Sequence, residues 1–179
     1  VGRAAGLGGA VADQQHAGFE RVQPVRRDGA VDAAADHVGD PRVAADRWRT
    51  VHTEPTGLLP LDRHLDRVDG DAGTGALAGL RLSADRERTV RLDLGYSDNV
   101  TVFLNGRPVF TGRFSFSHNF PRRQGLLTPD QATVYLPLQA GTNRLLLLVS
   151  ETAFGGWGLL GRIEDRTGLT VAPWDGGGG

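Results

Sequence analysis

An antiparallel all-β sandwich or jelly roll, entered through a poorly structured N-terminal arm, is the fold class this sequence predicts, and three observations predict it. Beyond Gly73 apolar residues recur at every second position in short runs; turn-forming residues separate those runs; and a helical period is nearly absent.

Residues 1–47 are rich in Gly, Ala, Asp and Arg, and their only large apolar residues are Leu7, Phe19 and scattered valines. Such a stretch offers too little apolar area to offset the entropy of ordering its backbone, so a flexible or disordered arm is expected. Asp28 to Val38 could form a short helix, but its few apolar positions give it no broad face to bury. A mis-started reading frame would produce the same composition. The ordered domain is expected over 48–174, with 175–179 as a Gly tail.

Trp48 to Thr53 alternates large or apolar residues with polar ones as a half-buried strand does, and Glu54-Pro55-Thr56-Gly57 ends it with turn chemistry. Leu58 to Leu65 supplies apolar residues for a loop or strand on a sheet edge, and Asp69 to Gly73 is the next break. Leu77, Leu80 and Leu82 mark one strand; Val90, Leu92 and Leu94 alternate with Thr89, Arg91 and Asp93 in another that has one wet face. Ser97-Asp98-Asn99 is a turn. Val100, Val102 and Leu104 resume the period of two. Asn105-Gly106 then tolerates positive φ at both centres of a type I′ turn, so the chain reverses into Val109 and Phe110.

After an aromatic-rich excursion, Val134 to Leu138 makes a further strand, with Pro137 assigning it to an edge or bulge because proline donates no ladder hydrogen bond. Gln139 to Asn143 is a tight connection. Leu145 to Val149 lacks alternation, as a central strand buried on both faces would, and Ile163 with Leu169 to Val171 closes the domain.

Charge excludes little but points away from some partners. Twenty basic residues stand against 21 acidic ones, a formal net charge of -1, without the basic surplus that nucleic acid or an anionic membrane would attract. There is no cysteine, which removes disulfides, thiolate zinc sites and cysteine nucleophiles. The longest apolar run, Leu145 to Val149, has strand length, far below the roughly 20 residues a membrane helix needs, so a soluble chain is expected. Val1 to Gly18 lacks a charged start followed by a continuous apolar segment, so no signal peptide is visible. Methionine and lysine are absent and isoleucine occurs once, at Ile163, a composition that suggests a GC-rich coding sequence; the start at Val1 suggests a fragment or a non-standard start.

Two blocks resemble the galactose-binding-domain-like jelly rolls. One is Asp93-Leu94-Gly95-Tyr96-Ser97-Asp98-Asn99-Val100-Thr101-Val102-Phe103-Leu104-Asn105-Gly106-Arg107-Pro108-Val109-Phe110; the other, Val134 to Leu145, is similar to the family's strand, Gly-x-Asn turn and apolar strand. The resemblance covers roughly Trp48 to Val171. It implies a jelly-roll accessory module of the kind that accompanies bacterial glycoside hydrolases, outside the cell or in the periplasm. Members of that family either bind sugars or brace a neighbouring catalytic domain, and the shared blocks are turns rather than binding motifs.

The most suggestive stretch is Phe110 to Arg123, which sets aromatic faces beside Arg, His and Asn. Aromatic faces can cover the apolar C–H face of a pyranose while Arg and Asn bond its hydroxyls directionally. The same phenylalanines would equally plug the end of a small sandwich. Glu151 to Gly158 places Trp157 among glycines, where it would be presented at the surface or folded back over the core. Phe114, Phe116, His118, Arg122 and Trp157 are the candidate ligand-facing residues of a non-catalytic carbohydrate-binding or accessory module. A shallow groove with one or two stacking rings gives affinities in roughly the μM to mM range.

The alternative is a structural brace against a neighbouring catalytic domain of a larger hydrolase. Catalysis is the remaining reading: Glu151 with Asp98, or Asp93 with Asp130, would have to stand roughly 5 to 10 Å apart as a glycosidase pair. Ser115 and Ser117 near His118 lack the Gly-x-Ser-x-Gly elbow. His16, His37, His52, His64 and His118 show no His-x-x-x-His spacing, so no zinc site is expected. Asp69, Asp71, Asp98 and Asn99 could ligate a structural calcium ion or simply form turns. A monomer without other cofactors is expected.

Overall fold

The computed structural model describes residues 21–26, 49–65, 74–114, 127–151 and 157–173. Eleven strands follow one another: β1 (Arg21–Arg26), β2 (Arg49–Thr50), β3 (Leu58–Pro60), β4 (Thr74–Ala84), β5 (Arg88–Ser97), β6 (Asn99–Leu104), β7 (Arg107–Arg113), β8 (Ala132–Leu138), β9 (Gly141–Glu151), β10 (Gly158–Ile163) and β11 (Leu169–Pro173). Among the described residues one 3-10 turn, Leu61–Arg63, interrupts the series and no α-helix forms. All strand pairs are antiparallel. The chain is a jelly-roll sandwich of a seven-stranded sheet, β2-β1-β4-β9-β6-β7, and a four-stranded sheet, β3-β10-β5-β8. The seventh strand, β11, pairs with residues 80–84 of β4, on the strand whose residues 74–79 pair with β1.

Alternation in the sequence becomes two facing apolar surfaces. Val90, Leu92, Leu94 and Tyr96 of β5 meet Leu80 and Leu82 of β4 and Leu145, Leu147 and Val149 of β9 in one buried cluster. Removing each such leucine from water contributes about 1.5 to 3 kcal/mol. As its unbroken apolar run requires, β9 is central, between β4 and β6, and is covered on both faces: Leu146 and Leu148 form a second cluster with Phe103.

Several turns behave as their residues dictate. Asn105 and Gly106 have φ of 51° and 78°, the positive pair of a type I′ hairpin joining β6 to β7. Gly57 closes the Glu54 turn with φ of 83°, its N–H on the Glu54 carbonyl at 2.8 Å. Pro137 sits on β8, an edge strand bonded only to β5.

The structure refines three expectations. Within the arm expected over residues 1–47, Arg21–Arg26 is a strand, because main-chain pairing along Thr74–Gly79 does not require an apolar face; the remainder of 1–47 lies outside the described residues, as does the helix considered for Asp28 to Val38. Of the strand expected at Trp48 to Thr53, Arg49–Thr50 is the part that pairs among the described residues, and Val51 instead turns into the core. The turn expected at Ser97 to Asn99 carries the chain from the four-stranded sheet into the seven-stranded one.

Candidate functional site

One end of the sandwich holds Phe114 and Trp157, the sequence-predicted site residues that lie among the described ones. There β5, β7 and β9 finish while β4, β6, β8 and β10 begin, as the pairings Thr74 with Glu151, Asn99 with Arg113 and Gly158 with Ser97 show. Phe114, just past β7, is half-buried and meets Tyr96 edge-to-face, with ring centroids 6.4 Å apart at 74°. Its N–H donates to the Asp98 carbonyl at 2.6 Å, which fixes where the β7–β8 connection leaves the sheet. Phe116, His118 and Arg122 belong to that connection and lie outside the described residues, as do Ser115 and Ser117.

Of the two placements open to Trp157, surface or core, the structure shows the core, which removes it from the ligand-facing candidates. It is 1% exposed and packs in the main cluster, and its carbonyl accepts from Leu61 N at 3.0 Å. A ring enclosed on both faces presents no stacking surface; its large apolar area is why it closes this end of the core.

Carboxylates surround the same end. Glu151 continues the inward series of Leu145, Leu147 and Val149 and is 7% exposed; Asp98 is 5% exposed. Asp98 N–H donates to the Ser150 carbonyl at 3.0 Å, so Asp98 stands beside the residue before Glu151. Ser97 Oγ donates to Asp98 Oδ1 at 3.2 Å, and Asn99 Nδ2 to Ser150 Oγ at 3.4 Å. Neighbouring turns hold this frame. Gln131 Oε1 accepts from Tyr96 N at 2.7 Å and its Nε2 donates to Tyr96 O at 3.2 Å, extending the β5–β8 ladder past the end of β8 with a side chain. Gly95 leaves room for the Thr128 carbonyl, and Gly112 for the Tyr96 hydroxyl.

Among the described residues no three His, Cys, Asp or Glu side chains gather into a metal-binding group; Asp69 and Asp71 of the calcium set lie outside them. His52 is exposed and His64 lies in the turn after the 3-10 segment.

A second constellation, on the outer face of the four-stranded sheet, was missed by sequence reading. Asp93, paired in the sequence with Asp130 and expected to face solvent, is 1% exposed, because Arg91 Nε (2.9 Å), Arg162 Nη2 (3.2 Å) and Thr133 Oγ1 (2.8 Å) close over it. Burial pushes its carboxyl up, but the hydrogen bonds from Thr133, Arg162 and Arg91 outweigh that and hold it below the usual carboxylate value. The Asp93 hydrogen bond raises Arg91 in return, helped by Glu164 at 3.2 Å. Tyr135 lies directly across from Arg91 and is 65% exposed. The signal that could have found it is plain afterwards: an aromatic residue in the polar phase of an alternating edge strand.

No family model and no curated protein matches this chain. Among solved structures it is similar to a family 35 carbohydrate binding module from an environmental isolate, with 25% identity and a TM-score of 0.39 over 57% of this chain and 72% of that one. It is also similar to a β-glucosidase from Kluyveromyces marxianus in complex with glucose, with 11% identity and a TM-score of 0.45; there it covers 87% of this chain and 16% of that one.

Proposed function

We propose that this chain is a non-catalytic carbohydrate-recognition module of the accessory type, engaging sugar at the loop end of its sandwich. The observation that carries the reading is the burial of Asp98 and Glu151 at 5% and 7% exposure beside the half-buried ring of Phe114. Burying carboxylates is costly, and acceptors collected at this end would suit the hydroxyl donors of a bound sugar. Phe114 adds apolar surface for the C–H face of the ring, and Phe116, His118 and Arg122 follow it directly in sequence.

We read the two carboxylates as acceptors rather than as acid and nucleophile, since Asp98 Oδ1 already accepts the Ser97 hydroxyl. Calorimetric titration of a glycan panel tests the module. Saturable binding in the μM to mM range, weakened by Phe114→Ala, is expected; absence of heat with every sugar up to tens of mM sinks the reading and favours a structural brace. Glycoside turnover abolished by Glu151→Gln would instead make the chain an enzyme.

A further inference from the structure

The outer face of the four-stranded sheet carries two rows of side chains in register. Glu164, Arg91 and Tyr135 form one; Arg162, Asp93 and Thr133 form the other, about 7 Å away along the strands. We propose that this face is a second ligand surface, separate from the loop end, that takes a neutral glycan segment lying over Tyr135 and Arg91.

Four features converge on that occupant. Tyr135, with Val109, is an exposed large apolar side chain among the described residues, so its ring is open to stack on a pyranose face. Arg91 stands opposite it, pinned through Nε to Asp93 and through Nη1 to Glu164; these bonds leave Nη2 out and hold the guanidinium as a preorganised donor that loses little freedom on binding. Two arginines balance two carboxylates on this face, which favours a hydroxyl-rich neutral ligand over an anionic one.

The fourth feature is a shallow, open depression lined by Glu87, Arg88, Thr89, Pro137 and Leu138. It adjoins Tyr135, because Pro137 follows two positions later on the same face of β8 and pairs with Thr89. A sugar ring on Tyr135 would therefore lead its neighbour toward a recess walled by Glu87 and Thr89, beside Arg88, whose guanidinium is held by Asp165 and the Thr167 carbonyl. A peptide strand adding to the β8 edge fits less well, since Pro137 offers that edge no N–H.

This surface uses none of the loop-end residues, so the two readings fail separately. Backbone amide shifts of the full chain would be followed while soluble neutral tetrasaccharides of β-1,4-linked glucose, xylose and mannose are added in turn. The expected result is saturable shifts at Thr89, Arg91, Thr133 and Tyr135 with at least one sugar. Tyr135→Ala should weaken that binding about tenfold, Tyr135→Phe should stay within about twofold, and Phe114→Ala should leave it unchanged. Shifts confined to the loop end, shifts on this face indifferent to Tyr135→Ala, or no shifts with any of the three sugars would each overturn the proposal.

Discussion

The side-chain amide of Asn105 donates a 3.0 Å hydrogen bond to Oδ1 of Asn143, tying the β6–β7 hairpin to the connection between β8 and β9. Asn105 Oδ1 also accepts from Arg144 N at 2.8 Å. Asn143 is fully buried and accepts from Gln139 N at 2.9 Å while donating to the Gln139 carbonyl at 2.7 Å. Two turns far apart in sequence are thus one polar knot at the end of the sandwich away from the candidate site.

Asn143→Ala should therefore destabilise the domain by about 1 to 3 kcal/mol, since it removes a fully buried amide that bonds the main chain of Leu82, Gln139 and Gly141. Asn105→Gly keeps the positive φ but loses the side-chain bonds and should cost about 1 kcal/mol. Urea unfolding at equilibrium measures both, and equal costs would contradict the central place given to Asn143.

A methyl group on Gly112 would overlap the Tyr96 hydroxyl and press on the Phe110 ring. Gly112→Ala is expected to cost about 1 to 3 kcal/mol. Combining it with Tyr96→Phe removes the overlapping oxygen, so the double variant should be more stable than the sum of the single effects predicts. Strict additivity in a double-mutant cycle would show that the hydroxyl is not what fills the space.

Trp157→Ala should cost about 3 to 5 kcal/mol because it empties an enclosed volume in the core. Trp157→Phe sacrifices no hydrogen bond of the indole among the described residues, since Nε1 makes none there, and should be milder. Sugar affinity should not change in the Phe variant. A large loss of affinity with intact stability would restore Trp157 as a ligand contact.

The Asp93 carboxyl is held below its ordinary value, so its contribution to stability is complete above the unfolded value of about 3.9 and fades as pH falls through the lower folded one. Asp93→Asn should flatten that part of the acid limb in urea midpoints measured from about pH 6 down to about pH 2. An unchanged acid limb would mean that other carboxylates carry it. At neutral pH Asp93→Ala should cost about 1 to 3 kcal/mol, as Thr133 and the two arginines lose their shared acceptor.

Much of the architecture was legible in the sequence because it depends on local rules. Asn105-Gly106 pointed to a type I′ hairpin, Pro137 to an edge or a bulge, and the unbroken Leu145 to Val149 run to a central strand; the hairpin, the edge and the central strand are found there. The candidate site was legible in part: Phe114 lies at the loop end, whereas Phe116, His118 and Arg122 lie outside the described residues. Trp157 could not be placed, because a tryptophan flanked by glycines is equally suited to a surface or a core until the neighbouring strands are positioned.

By itself the sequence determined which residues alternate, where the chain reverses and how few charges remain unbalanced, since those properties follow from the period of a strand and the φ preferences of single residues. Only the tertiary structure decided what lies across from what. Asp93 meets Arg162 across 69 residues and Thr133 across 40, and Asn105 meets Asn143 across 38. Such pairings depend on the register between strands distant in the chain, which no local pattern specifies.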